Sequence, residues 1–281
     1  MTNEIAHPLV EGIDSDANSD LVRLESTGEG VVIVTLNKPA RKNAFDAELI
    51  AAMAQAFETL NGAEHVRVVF LRGAGGTFSA GADLDWMRAA ADQTEAENRE
   101  DAMQMARMFK ALWDVPALTC ALIEGGAFGG GAGVAAACDI AIATEDARFS
   151  FSEVRLGLIP AVISPYVVAA IGPRNARALF ATGQVFSAHY AARIGLITEA
   201  VAGADELQKA MERVVDGAMA CAPGAVAESK RLVAEVYARE IDDGLMAHTA
   251  RRIAAQRVGD EGREGVSAFL ERRKPSWTEG A

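Results

Sequence analysis

The sequence predicts an α/β core followed by an all-helical region. Strand-like and helix-like patterns alternate up to about residue 201, and only helical periodicity follows from Ala204 onward. Two glycine-flanked turns, at residues 78–83 and 125–133, each follow a short apolar run of strand character. The second is the denser, with six glycines among nine residues before the small apolar stretch Val134 to Cys138.

Residues 1–19 are polar and acidic, with Glu4, Glu11, Asp14 and Asp16, and read as a flexible arm. The core then takes residues 20–203 and the C-terminal helical region residues 204–281. Residues 21–25 and 31–36, around Thr27-Gly28-Glu29-Gly30, read as a β-hairpin, and residues 37–43 as a basic loop. Asp46 suits a helix N-cap, and Leu49, Ile50, Met53, Phe57 and Leu60 share one helical face. A strand over 66–71 leads into the first glycine turn. Asp83 caps a helix holding Trp86 and Met87, and residues 102–112 form another helix. A buried strand over 117–123 enters the second turn, which opens into a helix over 134–138. Strands follow at 139–143 and 148–151, then helices around 165–170, 175–182 and 188–194, then a strand at 197–201. The C-terminal helices break at Pro223 and near Gly244 and Gly259.

With 281 residues, half of them hydrophobic, the chain has enough length for a large core. No apolar run spans a bilayer, and the acidic N-terminus lacks the features of a secretory signal. Cys120, Cys138 and Cys221 show no metal-ligand spacing, which points to no metal site, and the two that lie in apolar runs read as buried thiols in a reducing, cytoplasmic compartment. A net charge of −12 argues against nucleic acid as a partner.

The glycine turns carry the chemistry. A strand, a tight turn and a helix start leave backbone N–H groups aimed at one spot, where an anion or a developing oxyanion can sit. The alternative is that the glycines only allow close backbone packing. A nucleotide loop is disfavoured, since neither the lysine signature nor the G-x-G-x-x-G spacing is present. One N–H from each turn would polarise a carbonyl and stabilise an enolate more than its parent thioester. An enolate needs a proton-moving group beside it. Glu153, among apolar neighbours, is the candidate, and burial would raise its pKa. The competing reading is a capping or salt-bridged surface carboxylate. Asp83 and Asp139 read as structural, each at the start of an element.

The segments Asn37-Lys38-Pro39, residues 78–84, Gly129-Gly130-Gly131 with Cys138-Asp139, and residues 149–160 resemble the crotonase (enoyl-CoA hydratase/isomerase) superfamily in order and spacing. The resemblance implies a spiral of ββα units with a C-terminal helical trimerisation region, assembled as homotrimers or homohexamers. It implies an acyl-CoA substrate, with coenzyme A as part of the substrate and no separate cofactor. By motif position the oxyanion donors would be Ala80 and Gly130, with Glu153 as the acid/base. Lys38 and Arg41, with Ala82, Asp83 and Leu84, would meet the adenine side, and Lys274 the CoA phosphates. Typical hydratases of the superfamily carry a further glutamate three residues after Gly130, where this chain has Gly133. Single-glutamate members include double-bond isomerases. Residues 42–45, 82–87, 152–157 and 161–166 are similar to bacterial 3-methylglutaconyl-CoA hydratases and to hydratases of carboxylated isoprenoid-CoA thioesters, which serve leucine and terpene breakdown. These segments favour a hydratase, with a substrate carboxylate helping to hold the water that Gly133 cannot. Arg88 and Arg155 are candidates to read that carboxylate. The alternatives are an isomerase using Glu153 as a single proton shuttle, a non-catalytic acyl-CoA-binding relative, and a thioester hydrolase.

Overall fold

The structure, a computed structural model, describes residues 19–27 and 30–278. All but Ser19 of the expected arm at 1–19 and the hairpin tip at Gly28 and Glu29 lie outside the described residues. The strands are β1 (Val22–Ser26), β2 (Val31–Leu36), β3 (Val68–Gly73), β4 (Leu118–Ile123), β5 (Gly126–Phe128), β6 (Ile140–Thr144), β7 (Arg148–Ser150), β8 (Phe186–Ser187) and β9 (Glu199–Val201). The core helices are α1 (Ala47–Asn61), α2 (Leu84–Ala91), α3 (Glu95–Asp114), α4 (Gly130–Ala137), α5 (Ser164–Thr182) and α6 (Ala188–Ile194). After them come α7 (Ala204–Met219), α8 (Pro223–Val236), α9 (Asp243–Val258) and α10 (Asp260–Glu271).

The main sheet has the order β1-β2-β3-β4-β6-β9. Only the hairpin β1–β2 is antiparallel, with Val22 opposite Leu36; every later pairing is parallel. Helical crossovers on its faces explain why the inner strands read as unbroken apolar runs rather than alternating ones. Side chains still alternate between two cores. Val32, Val34, Val69, Leu71, Ala121 and Ile123 join the larger core with α1 and α3, while Val31, Ile33, Val68, Phe70, Cys120 and Leu122 meet Leu207, Ala210 and Met219 of α7. A smaller sheet, β5-β7-β8, stands beside it.

Several expected boundaries move. The strand expected at 66–71 lies two residues later, because Val66 serves as the approach to β3. Helix α3 begins seven residues before the expected 102, on a capping box formed by Thr94 and Glu97. Its first turns carry no apolar face, so periodicity missed them. The two helices expected around 165–170 and at 175–182 are both present within α5, separated by Gly172, whose φ of 74° is not helical, and by the Pro173 that follows it. The break expected near Gly244 falls at residues 237–242, between α8 and α9, and Gly244 sits in the first turn of α9, which Asp242 caps by accepting from Leu245 N–H. The largest change is at the second glycine turn, where β5 occupies Gly126 to Phe128 and α4 begins at Gly130 rather than Val134. Every residue of α4 is buried, so packing that only small residues allow overrides the poor helix propensity of glycine.

The C-terminal helices are tied to the core by two cations. Lys230 Nζ pairs with Asp139 at 2.6 Å and donates to Val115 O and Ala117 O at 2.7 Å. Asp139 also accepts from Thr119 N–H and Oγ1, which gives it the structural place expected of it. Arg67 donates to the carbonyls of Ala218, Cys221 and Trp277. No helix among the described residues is long and apolar enough to cross a membrane.

Candidate active site

The two glycine turns meet. Residues 79–83 run as an extended segment between β5 on one side and residues 43–45 on the other, with isolated bridges pairing Ser79 with Ala127 and Ala82 with Phe45. A Cβ on Gly81, whose φ is +90°, would stand 3.1 Å from Phe128 O. A Cβ on Gly129 would lie 3.9 Å from Gly81 Cα. The approach of Gly81 to Phe128 is tighter than an ordinary Cβ contact, and both positions have a positive φ that an L side chain resists.

The amides of the first turn are largely committed. Ser79 N–H donates to Gly126 O at 3.0 Å, Ala80 N–H to Lys42 O at 2.9 Å, Gly81 N–H to Ser79 Oγ at 3.2 Å, and Asp83 N–H to Phe45 O at 2.8 Å. The expectation that Ala80 supplies an oxyanion donor is therefore corrected: its N–H is held by the basic loop. The positive φ of Gly81 breaks the alternation of a regular strand, so Ala80 N–H and Asp83 N–H both face residues 42–45. Ala82, which follows Gly81, has an N–H with no acceptor among the described residues. Gly130, which follows Gly129, opens α4, where an N–H has no intrahelical acceptor. Ala82 and Gly130 thus each carry a free amide, one residue beyond the point where the turns touch. Sequence reasoning had placed Ala82 only among the adenine-side residues.

Glu153 closes this corner. It begins a short 3-10 turn (Glu153–Leu156) after β7. Its Oε1 lies 3.1 Å from the place a Cβ on Gly129 would take, and its Oε2 is buried without a hydrogen-bond partner among the described residues. Burial pushes the carboxyl above its ordinary value, partly offset by its own backbone N–H. The competing surface-carboxylate reading therefore fails for Glu153.

The walls nearby are apolar. A Cβ on Gly130 would meet Phe45 and Met105 Cε, the latter at 2.9 Å. A Cβ on Gly133 would meet Ile163 Cβ at 2.9 Å and Phe109 Cζ at 3.1 Å. Phe109 stacks on Tyr166 with ring centroids 5.5 Å apart. Phe45, Met105, Phe109 and Ile163 went unnoticed as site residues because each looks like ordinary core in sequence.

A polar cleft adjoins the first turn, bordered by Lys38, Arg41, Asp46, Asp83, Asp85 and Trp86. Asp83 caps α2 by accepting from Asp85 and Trp86 N–H. Arg41 grips the same carboxylate through Nε and Nη2 at 2.9 Å and reaches Asp85 Oδ2 at 2.6 Å. That fork holds the Asp83 carboxyl far below the usual carboxylate range. Lys38 Nζ pairs with Asp46. Leu84, the first residue of α2, is 69 % exposed beside the cleft. The remaining candidate cations stand apart. Lys274 is exposed beyond α10, next to an Arg273 that is paired with Glu264 and Glu271. Arg88 pairs with Asp85, and Arg155 runs against Gly183 rather than toward Glu153.

Comparison with known proteins bears on this arrangement. A family model described as enoyl-CoA hydratase/isomerase matches residues 26–280. The enoyl-CoA hydratase EchA19 of Mycobacterium tuberculosis is 32 % identical over 250 residues, which cover 88 % of this chain and 92 % of that protein. The crystal structure of an enoyl-CoA hydratase from Shewanella pealeana superposes with a TM-score of 0.88 at 39 % identity, covering 92 % of this chain and 96 % of that one. Pseudomonas aeruginosa AtuE superposes with a TM-score of 0.88 at 35 % identity, covering 92 % and 99 %.

Proposed function

We propose, from the premise that this chain belongs to the enoyl-CoA hydratase/isomerase family and is an enzyme of that family, that it adds water reversibly to a carboxylated 2-enoyl-CoA thioester of the 3-methylglutaconyl-CoA kind. The observation that carries the reading is the Glu153 carboxyl, buried and unpartnered on one oxygen, beside the point where two turns each present a free amide. The thioester oxygen would accept from Ala82 N–H and Gly130 N–H. Glu153, ionised, takes a proton from water as the water oxygen bonds to C3, and the thioester becomes an enolate held by the two amides. The same carboxyl then returns the proton to C2, so the carboxylate is regenerated and the net change is addition of one water. A raised pKa suits a group that must both accept and release a proton near neutrality.

The substrate carboxylate enters because Gly133 has no side chain and its neighbours Ile163 and Phe109 are apolar. An anion that orients the water must then arrive with the substrate. The segments similar to 3-methylglutaconyl-CoA hydratases support the same choice. The nucleotide end would lie along Lys38 to Arg41 and Ala82 to Leu84. Arg41 is neutralised by Asp83 and Asp85, so this cleft suits the adenine better than a phosphate, and Lys274 would serve the phosphates from a neighbouring copy in a trimer or hexamer. Val233, Tyr237, Ile241, Val266 and Phe269, all exposed in the single chain, support such an assembly. Light scattering showing a monomer at working concentration would remove the assembly from this reading.

The deciding experiment compares hydration of 3-methylglutaconyl-CoA with that of crotonyl-CoA. Faster turnover of the carboxylated substrate is expected; equal or faster turnover of crotonyl-CoA overturns the substrate-carboxylate part. One observation favours a second reading: position 133 carries no side chain and faces Ile163 and Phe109, so Glu153 has no second carboxyl there, and a one-carboxyl double-bond isomerase fits the same site. A product whose double bond has moved, with no oxygen taken up from labelled water, would establish that reading instead.

A further inference from the structure

We infer that Ile163 is a specificity-determining residue of this site: its side chain closes the position next to Glu153 where a second proton-handling side chain would stand, and so restricts the enzyme to substrates that bring their own polar group. The inference rests on the hydratase reading above.

Gly133 N–H donates to Gly129 O at 3.0 Å, so Gly133 sits one turn after Gly129, the residue that precedes α4. A Cβ on Gly129 would point at Glu153 Oε1, 3.1 Å away. A Cβ on Gly133 would point at Ile163, whose own Cβ lies 2.9 Å from it. Gly129, which lies against Glu153, and Gly133, which lies against Ile163, are joined by that hydrogen bond, and this places the Glu153 carboxyl and the Ile163 side chain about one turn apart at the start of α4.

Ile163 has little freedom to leave. It is 2 % exposed, and its carbonyl accepts from Val167 N–H at 3.1 Å as α5 begins. β-Branching stiffens its χ1. On the other side, Phe109 is fully buried and stacked on Tyr166. A side chain at position 133 would thus meet two anchored apolar groups rather than a flexible chain end. The glycine there and the isoleucine facing it form a matched pair. The glycine removes the side chain, and the isoleucine keeps the vacated space dry.

Three variants test this with two substrates. Ile163→Ala is expected to raise the ratio of kcat/KM for crotonyl-CoA over that for 3-methylglutaconyl-CoA by about tenfold, as water gains a place beside Glu153. Gly133→Glu alone is expected to lower the melting temperature sharply. Gly133→Glu combined with Ile163→Gly should recover that temperature and turn over crotonyl-CoA faster than the parent. A wild-type melting temperature for Gly133→Glu, or a substrate ratio unmoved in folded Ile163→Ala, overturns the inference. Glu153→Gln separates the two failures. If it is inactive and the parent incorporates oxygen from labelled water while the ratio stays fixed, only the role of Ile163 falls; if it keeps full activity, or the parent shifts the double bond with no oxygen taken up, the hydratase reading falls with it.

Discussion

The two glycine turns solve one problem by different means. In the second, the amide of Gly130 is free because a helix starts there, and the first N–H groups of any helix lack partners. In the first, the chain is extended and bridged on both sides, so Ala80 is held by Lys42 O while Ala82 stays free. The difference teaches that a free amide at a helix start follows from local sequence. A free amide in a bridged segment depends on which neighbours lie on each side.

Removing the group that both turns face should have the largest effect. Glu153→Gln keeps the shape and is expected to lower kcat about 10²- to 10⁴-fold. Next comes a direct contrast within the first turn. Replacing Ala82 by lactic acid, which swaps its N–H for an ester oxygen, should raise the barrier by about 3–4 kcal/mol. The same replacement at Ala80 should leave kcat nearly unchanged and cost about 1 kcal/mol of stability, read by denaturant unfolding. Equal losses of kcat at the two positions would break the comparison.

Smaller effects sharpen it. Gly81→Ala places a Cβ at a φ of +90° and 3.1 Å from Phe128 O, and should destabilise by about 1–2 kcal/mol. Asp83→Ala removes the cap of α2 along with the Arg41 fork, and the lost cap alone costs about 1 kcal/mol. Because the Asp83 carboxyl is held below its ordinary 3.8, its stabilisation is present above that pH and is lost as pH falls.

Glu153 has the opposite sign. Its pKa is raised in the fold, so its contribution is whole below the unfolded value near 4.5 and is lost as pH rises through the folded one. Glu153→Gln should therefore be more thermostable than the parent at neutral pH, with the gap closing in acid. The acidic limb of kcat against pH should fall above 4.5, since the ionised carboxylate takes the proton from water. A limb at or below that value would place Glu153 in an exposed setting.

Much of this protein was legible in the chain. Apolar runs without proline marked the parallel strands, the caps Asp46 and Asp83 marked α1 and α2, and motif order marked the family and Glu153. These are local signals, carried by side-chain chemistry and spacing. The start of α4 within a glycine run, the commitment of the Ala80 amide, and the sealing of Gly133 by Ile163 and Phe109 were not. Each depends on what lies across a gap from a residue distant in sequence. A backbone N–H is a donor in every residue, and only its tertiary neighbours decide whether it is already bonded. Sequence settled which groups the chain possesses, and packing settled which of them remain free to react.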